Sequence, residues 1–169
     1  MAAPKIDSVE LAKFILAKLG GMPHLKLQKL LYYIEAWHLA IFEESIIDDS
    51  FKAWMHGPVS TKVWQVFKNE DSPLFSNIYI SPEEAASIET KVKGILHTEQ
   101  LAMIDNVLEV YGGLTGYELE GLTHQEWPWR EARNGIPDDE SSTKEISKTT
   151  MLKFYRKRLY GTRGTISKI

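Results

Sequence analysis

The side chains of this sequence that are best suited to molecular recognition gather in two short stretches. The first corner is Trp54-Met-His-Gly-Pro58, and the second corner is Thr123-His-Gln-Glu-Trp-Pro-Trp-Arg130. Tryptophan and arginine dominate the binding energy of protein interfaces, and proline stiffens the turns that present them. The chemistry that these residue types predict is the binding of another protein.

The first corner allows two interpretations. In one, Trp54 and Pro58 close a corner of the core, Gly57 supplies a backbone angle that other residues resist, and a hydrogen bond of His56 ties the turn. In the other, the corner joins aromatic residues of the preceding helix to form a rigid groove for a partner protein. The side chains of that groove would be Tyr33, Trp37, Trp54 and His56.

The second corner allows the same choice. Trp127 and Trp129 lie on either side of Pro128, which makes a stiff amphipathic wedge. Arg130 can donate a forked pair of hydrogen bonds to a carboxylate, either Glu126 of the same chain or an acid of a partner. An internal clamp that joins the two corners and a contact to a partner therefore both remain open.

Catalytic and metal-binding chemistry have few signals in the sequence. The five histidines stand apart, without the spacing of a zinc site, and there is no cysteine. Nucleotide-binding glycine loops and the nucleophile elbow of serine hydrolases are missing as well. We therefore expect no metal, no cofactor and no enzymatic activity. His38 is interpreted as a core imidazole, and His124, Gly57 and Pro58 as structural residues.

Length and charge favour a single domain without a general affinity for polyanions. The chain has 169 residues, 43% of them hydrophobic, and a net charge of −3. Such a length can enclose a sizeable core, and such a charge gives no overall attraction to nucleic acid or membranes. Because the sequence shows no signal peptide and no bilayer-spanning run, we expect a cytoplasmic protein.

Local groups of basic residues are the exception to this balance. Lys26 and Lys29 are expected on the exposed flank of the second helix, either solvated or orienting a partner. Near the C-terminus a solvated helix face is expected. The basic residues there are Lys148, Lys153, Arg156, Lys157, Arg158, Arg163 and Lys168.

Periodicity and capping residues predict a mainly α fold, a compact single-domain helical bundle around a buried central helix, with a small β element. The helix that begins at Leu25 is apolar around most of its circumference, which is typical of a helix enclosed by neighbours. Alternation over residues 51–56 predicts a strand, after which Pro58 is expected to open a helix. The remaining predictions are helices over 9–19, 59–68, 82–95, 98–111, 115–123 and 147–160, a strand over 77–80, one domain over 1–160 and a flexible tail over 161–169.

Five motifs follow one another in a particular order: Lys26-Leu-Gln-Lys-Leu-Leu-Tyr-Tyr33, Ala36-Trp-His38, Asp48-Asp49, Ala53-Trp-x-His-Gly-Pro-Val59 and Leu122-Thr-His-Gln-Glu-x-Pro-Trp-Arg-x-Ala-Arg133. Together they resemble the Panacea domain, the antitoxin module of SocA-like and phage-associated proteins, over roughly residues 26–160. The resemblance implies a helical domain that binds a toxin encoded by a neighbouring gene and blocks it by direct contact. The residues predicted to bind it are Lys26, Lys29, Tyr33, Trp37, Trp54, His56, Trp127, Trp129 and Arg130.

Two other activities remain open. One antitoxin of this family is a proteolytic adaptor, so the resemblance also implies delivery of a toxin to a Clp protease. A regulator that binds nucleic acid through the basic C-terminal helix is the other alternative. About 25 residues precede the first motif, too few for the helix-turn-helix module that many members carry, so DNA is not an expected partner. Trp127 stands where family members usually have glycine and marks a candidate contact of this chain's own partner.

Overall fold

The computed structural model describes residues 2–69 and 72–161. Within them, helices dominate and strands are short, as predicted. The helices are α1 (Ser8–Leu19), α2 (His24–Phe42), α3 (Thr61–Phe67), α4 (Pro82–Ile95), α5 (Thr98–Tyr111), α6 (Gly116–Gln125), α7 (Trp127–Ala132) and α8 (Lys148–Gly161). The strands are β1 (Met22–Pro23), β2 (Phe51–Trp54), β3 (Gly57–Val59), β4 (Asn77–Ile78) and β5 (Glu145–Ile146).

Helix α2 runs through the middle of the fold. Every residue from Leu27 to Ala40 is buried, because α1, α5, α6 and α8 pack around this helix. The apolar circumference that the sequence gives to this helix therefore correctly predicts its central position. Full burial of one large aliphatic side chain contributes about 1.5–3 kcal/mol, so α2, with the most buried residues of the described helices, makes a large hydrophobic contribution to the fold.

Most polar side chains of α2 are buried as well and connect it to neighbouring segments. Gln28 accepts a hydrogen bond from the Ser60 amide at 2.9 Å. The ring of His38 has Nδ1 2.5 Å from the Glu44 carbonyl oxygen and Nε2 3.0 Å from the Gln100 side-chain nitrogen. Buried polar atoms need such partners. The predicted core position of His38 is confirmed.

Side-chain caps explain where several helices begin. The Asp7 carboxylate accepts hydrogen bonds from the first amides of α1. Ser81 accepts one from the Glu84 amide at the start of α4, and Thr115 and Glu118 form a reciprocal capping box at the start of α6. Each cap satisfies amides that have no partner within the helix, so these starting points could be predicted to within a residue or two.

The prediction that a helix begins at Pro58 is wrong. β2 and β3 form an antiparallel hairpin in which Pro58 pairs with Ala53, and β5 pairs with the other side of β2. β3 lies at the edge of this sheet, where a residue without an amide hydrogen is tolerated. Helix α3 begins only at Thr61, after Ser60, whose hydroxyl accepts a hydrogen bond from the Val63 amide.

Helix α7 is not predicted by the sequence pattern, because Pro128 suggests a corner instead. Proline is nevertheless compatible with the first turn of a helix, where its missing amide hydrogen would have no partner. The tail predicted over 161–169 lies, apart from Gly161 at the end of α8, outside the described residues. None of the helices in the described ranges combines the length and the apolar character that crossing a bilayer requires.

Candidate protein-binding site

The first corner is fixed against α2 and α6. Lys29 is fully buried, and its Nζ donates a hydrogen bond to the Pro58 carbonyl oxygen at 2.9 Å. His56 Nδ1 lies 2.9 Å from Glu120 Oε1 in α6, so His56 ties the corner to another element and does not close the turn itself. Gly57 has a φ of +101°, the left-handed region expected for this position. These contacts support the structural interpretation of the corner.

Replacing Gly57 by alanine is expected to destabilise the protein by about 2 kcal/mol or more, because the residue has a positive φ and no room for a side chain. An added Cβ would lie 2.4 Å from Lys29 Cε and 3.0 Å from Thr123 Oγ1. Thermal unfolding followed by circular dichroism should show a decrease in Tm of roughly 4–8 °C. Gly121→Ala in α6 is the matched control, since a Cβ there meets nothing within 4 Å and alanine favours helix. Equal Tm values for the two variants would contradict the conclusion that the fold requires glycine at position 57.

The second corner is joined to the first through backbone carbonyl groups. Trp129 is 1% exposed, and its Nε1 donates a hydrogen bond to the Trp54 carbonyl oxygen at 2.9 Å. His124 stacks on the Trp129 ring with centroids 3.9 Å apart. Arg133 Nη1 donates to the Ala53 carbonyl oxygen at 2.8 Å. The predicted connection between the corners therefore exists, but no arginine–carboxylate clamp forms it.

The carboxylate of Glu126 is buried and has a different arginine partner from the predicted one. Its Oε1 accepts hydrogen bonds from Tyr33 at 2.8 Å and Tyr155 at 2.6 Å, and its Oε2 lies 2.8 Å from Arg158 Nη1. Arg130 is exposed, so the predicted internal pairing of Arg130 with Glu126 is wrong. Burial raises the pKa of Glu126, although the two hydroxyl groups and the guanidinium act in the opposite direction.

Four of the residues predicted to bind a partner lie inside the protein. Tyr33 stacks on Tyr111 with centroids 4.1 Å apart, and Trp37 Nε1 donates a hydrogen bond to the Tyr111 hydroxyl at 3.0 Å. Together with Lys29 and Trp129, these side chains are at most 1% exposed. The predictions that Lys29 is exposed and that Tyr33 and Trp37 form a surface groove are therefore corrected. α8 and α5 cover the side of α2 from which these rings project.

Three other predicted residues are partly exposed. Trp54 and His56 line a hollow of about 230 Å³ together with Leu74. Lys26 uses its Nζ to donate a hydrogen bond to the Gly112 carbonyl oxygen at 2.6 Å, which orients it towards the end of α5. Their binding role stays a prediction, and for Lys26 this internal bond already supplies a structural role.

Trp127 is the most prominent exposed side chain among the predicted residues. It is 51% exposed at the start of α7 and separates two grooves. One groove, of about 180 Å³, is lined by Trp127, Trp129, Arg130, Arg133, Asn134, Gly135, Ile136 and Asp138. The other, of about 400 Å³, lies between α7 and α8 and is lined by Trp127, Glu131, Thr150, Lys153, Phe154 and Lys157. We call Trp127 and these two grooves the Trp127 ridge.

Helix α8 supplies the basic side of this ridge. Three of its basic residues are engaged with other elements, since Lys148, Arg156 and Arg158 bond to oxygen atoms at 2.7, 2.9 and 2.8 Å. Lys153 and Lys157 are exposed and form no ion pair with the described part of the chain. Both line the groove beside Trp127. Within the described residues, the two basic residues of α8 that form no ion pair therefore both lie at the groove.

Sequence reasoning missed three partners of the buried network, namely Tyr111, Tyr155 and Glu120. A signal exists for Tyr155, because it follows Met151 by four residues and so shares the buried side of α8. No comparable pattern connects Tyr111 to Trp37 or Glu120 to His56, which are distant in the chain. Within the described ranges, no group of three or more His, Asp or Glu side chains has an arrangement that could hold a metal ion.

Comparison with known protein families shows to which family the chain belongs. The family model for the SocA-like antitoxin Panacea domain matches residues 27–130, which is more than half of the sequence. The chain belongs to the Panacea-domain family. No curated protein and no solved structure shows a significant match. The matched stretch of the Panacea domain ends within α7, earlier than the resemblance described above, and so leaves α8 outside.

The matched part of this Panacea domain contains α2 from Leu27 onward, both corners and Trp127. The basic side of the ridge, Lys153 and Lys157, belongs to α8 beyond the match. The match therefore covers the elements from α2 to the start of α7, whereas one wall of the larger groove comes from a segment that the family model does not cover.

Proposed function

We propose that this protein is the antitoxin of a toxin–antitoxin system and neutralises a cognate protein toxin by binding to it directly. The observation that carries the proposal is the Panacea-domain match over residues 27–130. The proposed toxin is the product of a neighbouring gene, and both proteins act in the cytoplasm.

The proposed mechanism is occlusion and involves no catalysis by the antitoxin. The bound antitoxin would cover the functional site of the toxin or hold the toxin in an inactive arrangement. The Trp127 ridge supports this mechanism, because a half-exposed tryptophan beside Arg130 has the residue types that act as interface hot spots. The rigid network beneath it, which includes Trp129 and Arg133, would hold that surface in place without a large ordering cost.

The test is co-expression of this protein with the product of the neighbouring gene, with growth and co-purification scored in the same cultures. We expect the neighbouring-gene product to stop growth when it is expressed alone. When it is co-expressed with the antitoxin, it should be harmless and should elute as a complex with it. A neighbour that is harmless alone would overturn the proposal.

Rescue of growth without a stable complex would favour the adaptor activity instead. That alternative predicts that the toxin is degraded in the presence of this protein and persists in cells that lack the Clp protease. A pulse-chase measurement of toxin half-life in cells with and without the protease separates the two modes. For occlusion, the half-life of the toxin should not depend on the protease.

A further inference from the structure

We infer that the toxin binds at the Trp127 ridge through an acidic segment that places an apolar side chain in the groove between α7 and α8. This inference rests on the proposed antitoxin function and adds to it the contact surface and the chemistry of the partner's contact segment. The aromatic side of α2 is not part of this surface because its rings are buried, and the first corner lies at a separate hollow.

The apolar part of the argument is the position of Trp127. Its ring is half exposed and forms a wall of both grooves, so an inserted side chain would contact a large rigid aromatic surface. Phe154 lines the same groove from α8 and is only partly buried. Trp127 is not needed to fill the core, since the neighbouring Trp129 occupies the buried position against the first corner. Trp127 and Phe154 together give the groove an apolar surface, and tryptophan is enriched among interface hot spots.

The charge part of the argument is the imbalance at the groove. Lys153 and Lys157 lie one helical turn apart on α8, and neither has an acidic partner within the described residues. Glu131 lines the opposite wall and accepts a hydrogen bond from the Thr150 hydroxyl at 2.5 Å, so this groove has two cations and one carboxylate. Arg130 adds a third exposed cation on the other side of Trp127, in a groove that Arg133 and Asp138 also line. A segment that carries Asp or Glu beside an apolar residue complements this arrangement.

A protein is favoured over nucleic acid as the occupant. Nucleic-acid affinity rests on roughly 6–10 phosphate contacts in a typical complex, and the ridge offers three exposed cations. The remaining basic residues of α8 are used inside the fold, and the protein carries a net charge of −3. A small cluster of cations around one tryptophan instead resembles the centre and rim of a protein interface.

The experiment compares two ridge variants with two matched controls in the co-expression assay. Trp127→Ala is matched by Tyr117→Ala, which removes an aromatic side chain that is 80% exposed on α6. Lys153→Glu/Lys157→Glu is matched by Lys68→Glu/Lys93→Glu, which makes the same charge change at two exposed lysines outside the grooves. The probe is the tagged neighbouring-gene product, and its Kd for each purified variant is measured by biolayer interferometry at low and high salt.

We expect each ridge variant to weaken binding by roughly tenfold or more and to lose neutralisation, while both controls behave like the wild type. For the wild type the Kd should increase with salt, and the double charge reversal should remove most of that dependence. Because half of Trp127 is already exposed, its replacement should change Tm by only a few degrees. If Trp127→Ala nevertheless unfolds, the charge-reversal pair alone decides.

The outcomes separate the inference from the proposed function. Wild-type binding that the ridge variants leave unchanged would overturn the inference while the antitoxin function stands. A wild type that neither binds nor neutralises the neighbouring product would overturn the proposed function itself. Tight binding to a DNA or RNA duplex that the charge reversal abolishes would also overturn the inference, because the lysines would then serve phosphates.

Discussion

Replacing Glu126 by alanine is expected to lower the free energy of unfolding by roughly 3–5 kcal/mol. The variant would leave the hydroxyl groups of Tyr33 and Tyr155 and the guanidinium of Arg158 without the carboxylate that holds them. All but Arg158 are buried, so water cannot replace the lost hydrogen bonds without opening the core. Thermal unfolding should show a decrease in Tm of about 10 °C.

Glu126→Gln is the control that separates the hydrogen bonds from the charge. Glutamine keeps the shape and one acceptor oxygen, so we expect a much smaller loss of stability than for alanine. Burial raises the pKa of Glu126, which means that the folded state binds this proton more tightly than the unfolded state does. The contribution of Glu126 to stability is therefore greatest at low pH and falls as the pH rises from about 4.5 to the raised pKa.

Urea unfolding of the wild type and Glu126→Gln across pH 4–8 checks this sign. The difference in stability between the two proteins should change within that window in favour of the variant and become constant above it. Glu35, another buried carboxylate with a raised pKa, is present in both proteins and cancels in the difference. Alanine and glutamine variants that are both as stable as the wild type would show that the carboxylate site does not stabilise the fold.

Local signals explain why much of the fold could be predicted. Ser81 followed by Pro82 and Thr115 followed by Glu118 place two helix starts by interactions within a single turn. The apolar circumference of α2 likewise depends only on spacing. These features are short in sequence range, so one chain without its neighbours in space is enough to recognise them.

The errors come from competition between local rules and distant partners. Pro58 fits the first turn of a helix, but pairing of β3 with β2 holds it in a strand. Arg130 lies one helical turn from Glu126, which favours their pairing on local grounds, yet Arg158 reaches the carboxylate from α8. Sequence spacing cannot reveal an arginine that becomes a neighbour only through packing of two helices.

The residues predicted to bind a partner also divide into those that the fold leaves exposed and those that it buries. Trp127 and Arg130 are predicted binding residues, and both side chains are exposed in the part of the chain that the structure describes. Trp37 and Trp54 have the same residue type, but one is enclosed by α5 and α8 and the other lies partly against Trp64. Residue type therefore identifies candidates for binding, whereas only the tertiary packing separates anchors of the core from anchors of a partner.

The stability of the protein is expected to rise with pH above neutrality because of Lys29. Burial lowers the pKa of this lysine from 10.5 to about 7, although the nearby Glu120 carboxylate acts in the opposite direction. Between these two pKa values the unfolded chain keeps a proton that the folded protein has released. Stability therefore increases across that window, with a slope of up to about 1.4 kcal/mol per pH unit, and it shows no Lys29-dependent change below pH 7.

Lys29→Met tests this expectation, because methionine has a similar length and no charge. Urea unfolding at several values between pH 7 and 9.5 should show a rising free energy for the wild type and a flatter profile for the variant. At pH 7 the variant should be at least as stable as the wild type, since removal of the buried ammonium offsets the lost hydrogen bond to Pro58. Lys93→Met, at an exposed position of α4, should retain the wild-type slope. If Lys29→Met also retained that slope, Lys29 would have to remain charged inside the fold, and the first corner would then rest on a buried ammonium ion stabilised by Glu120.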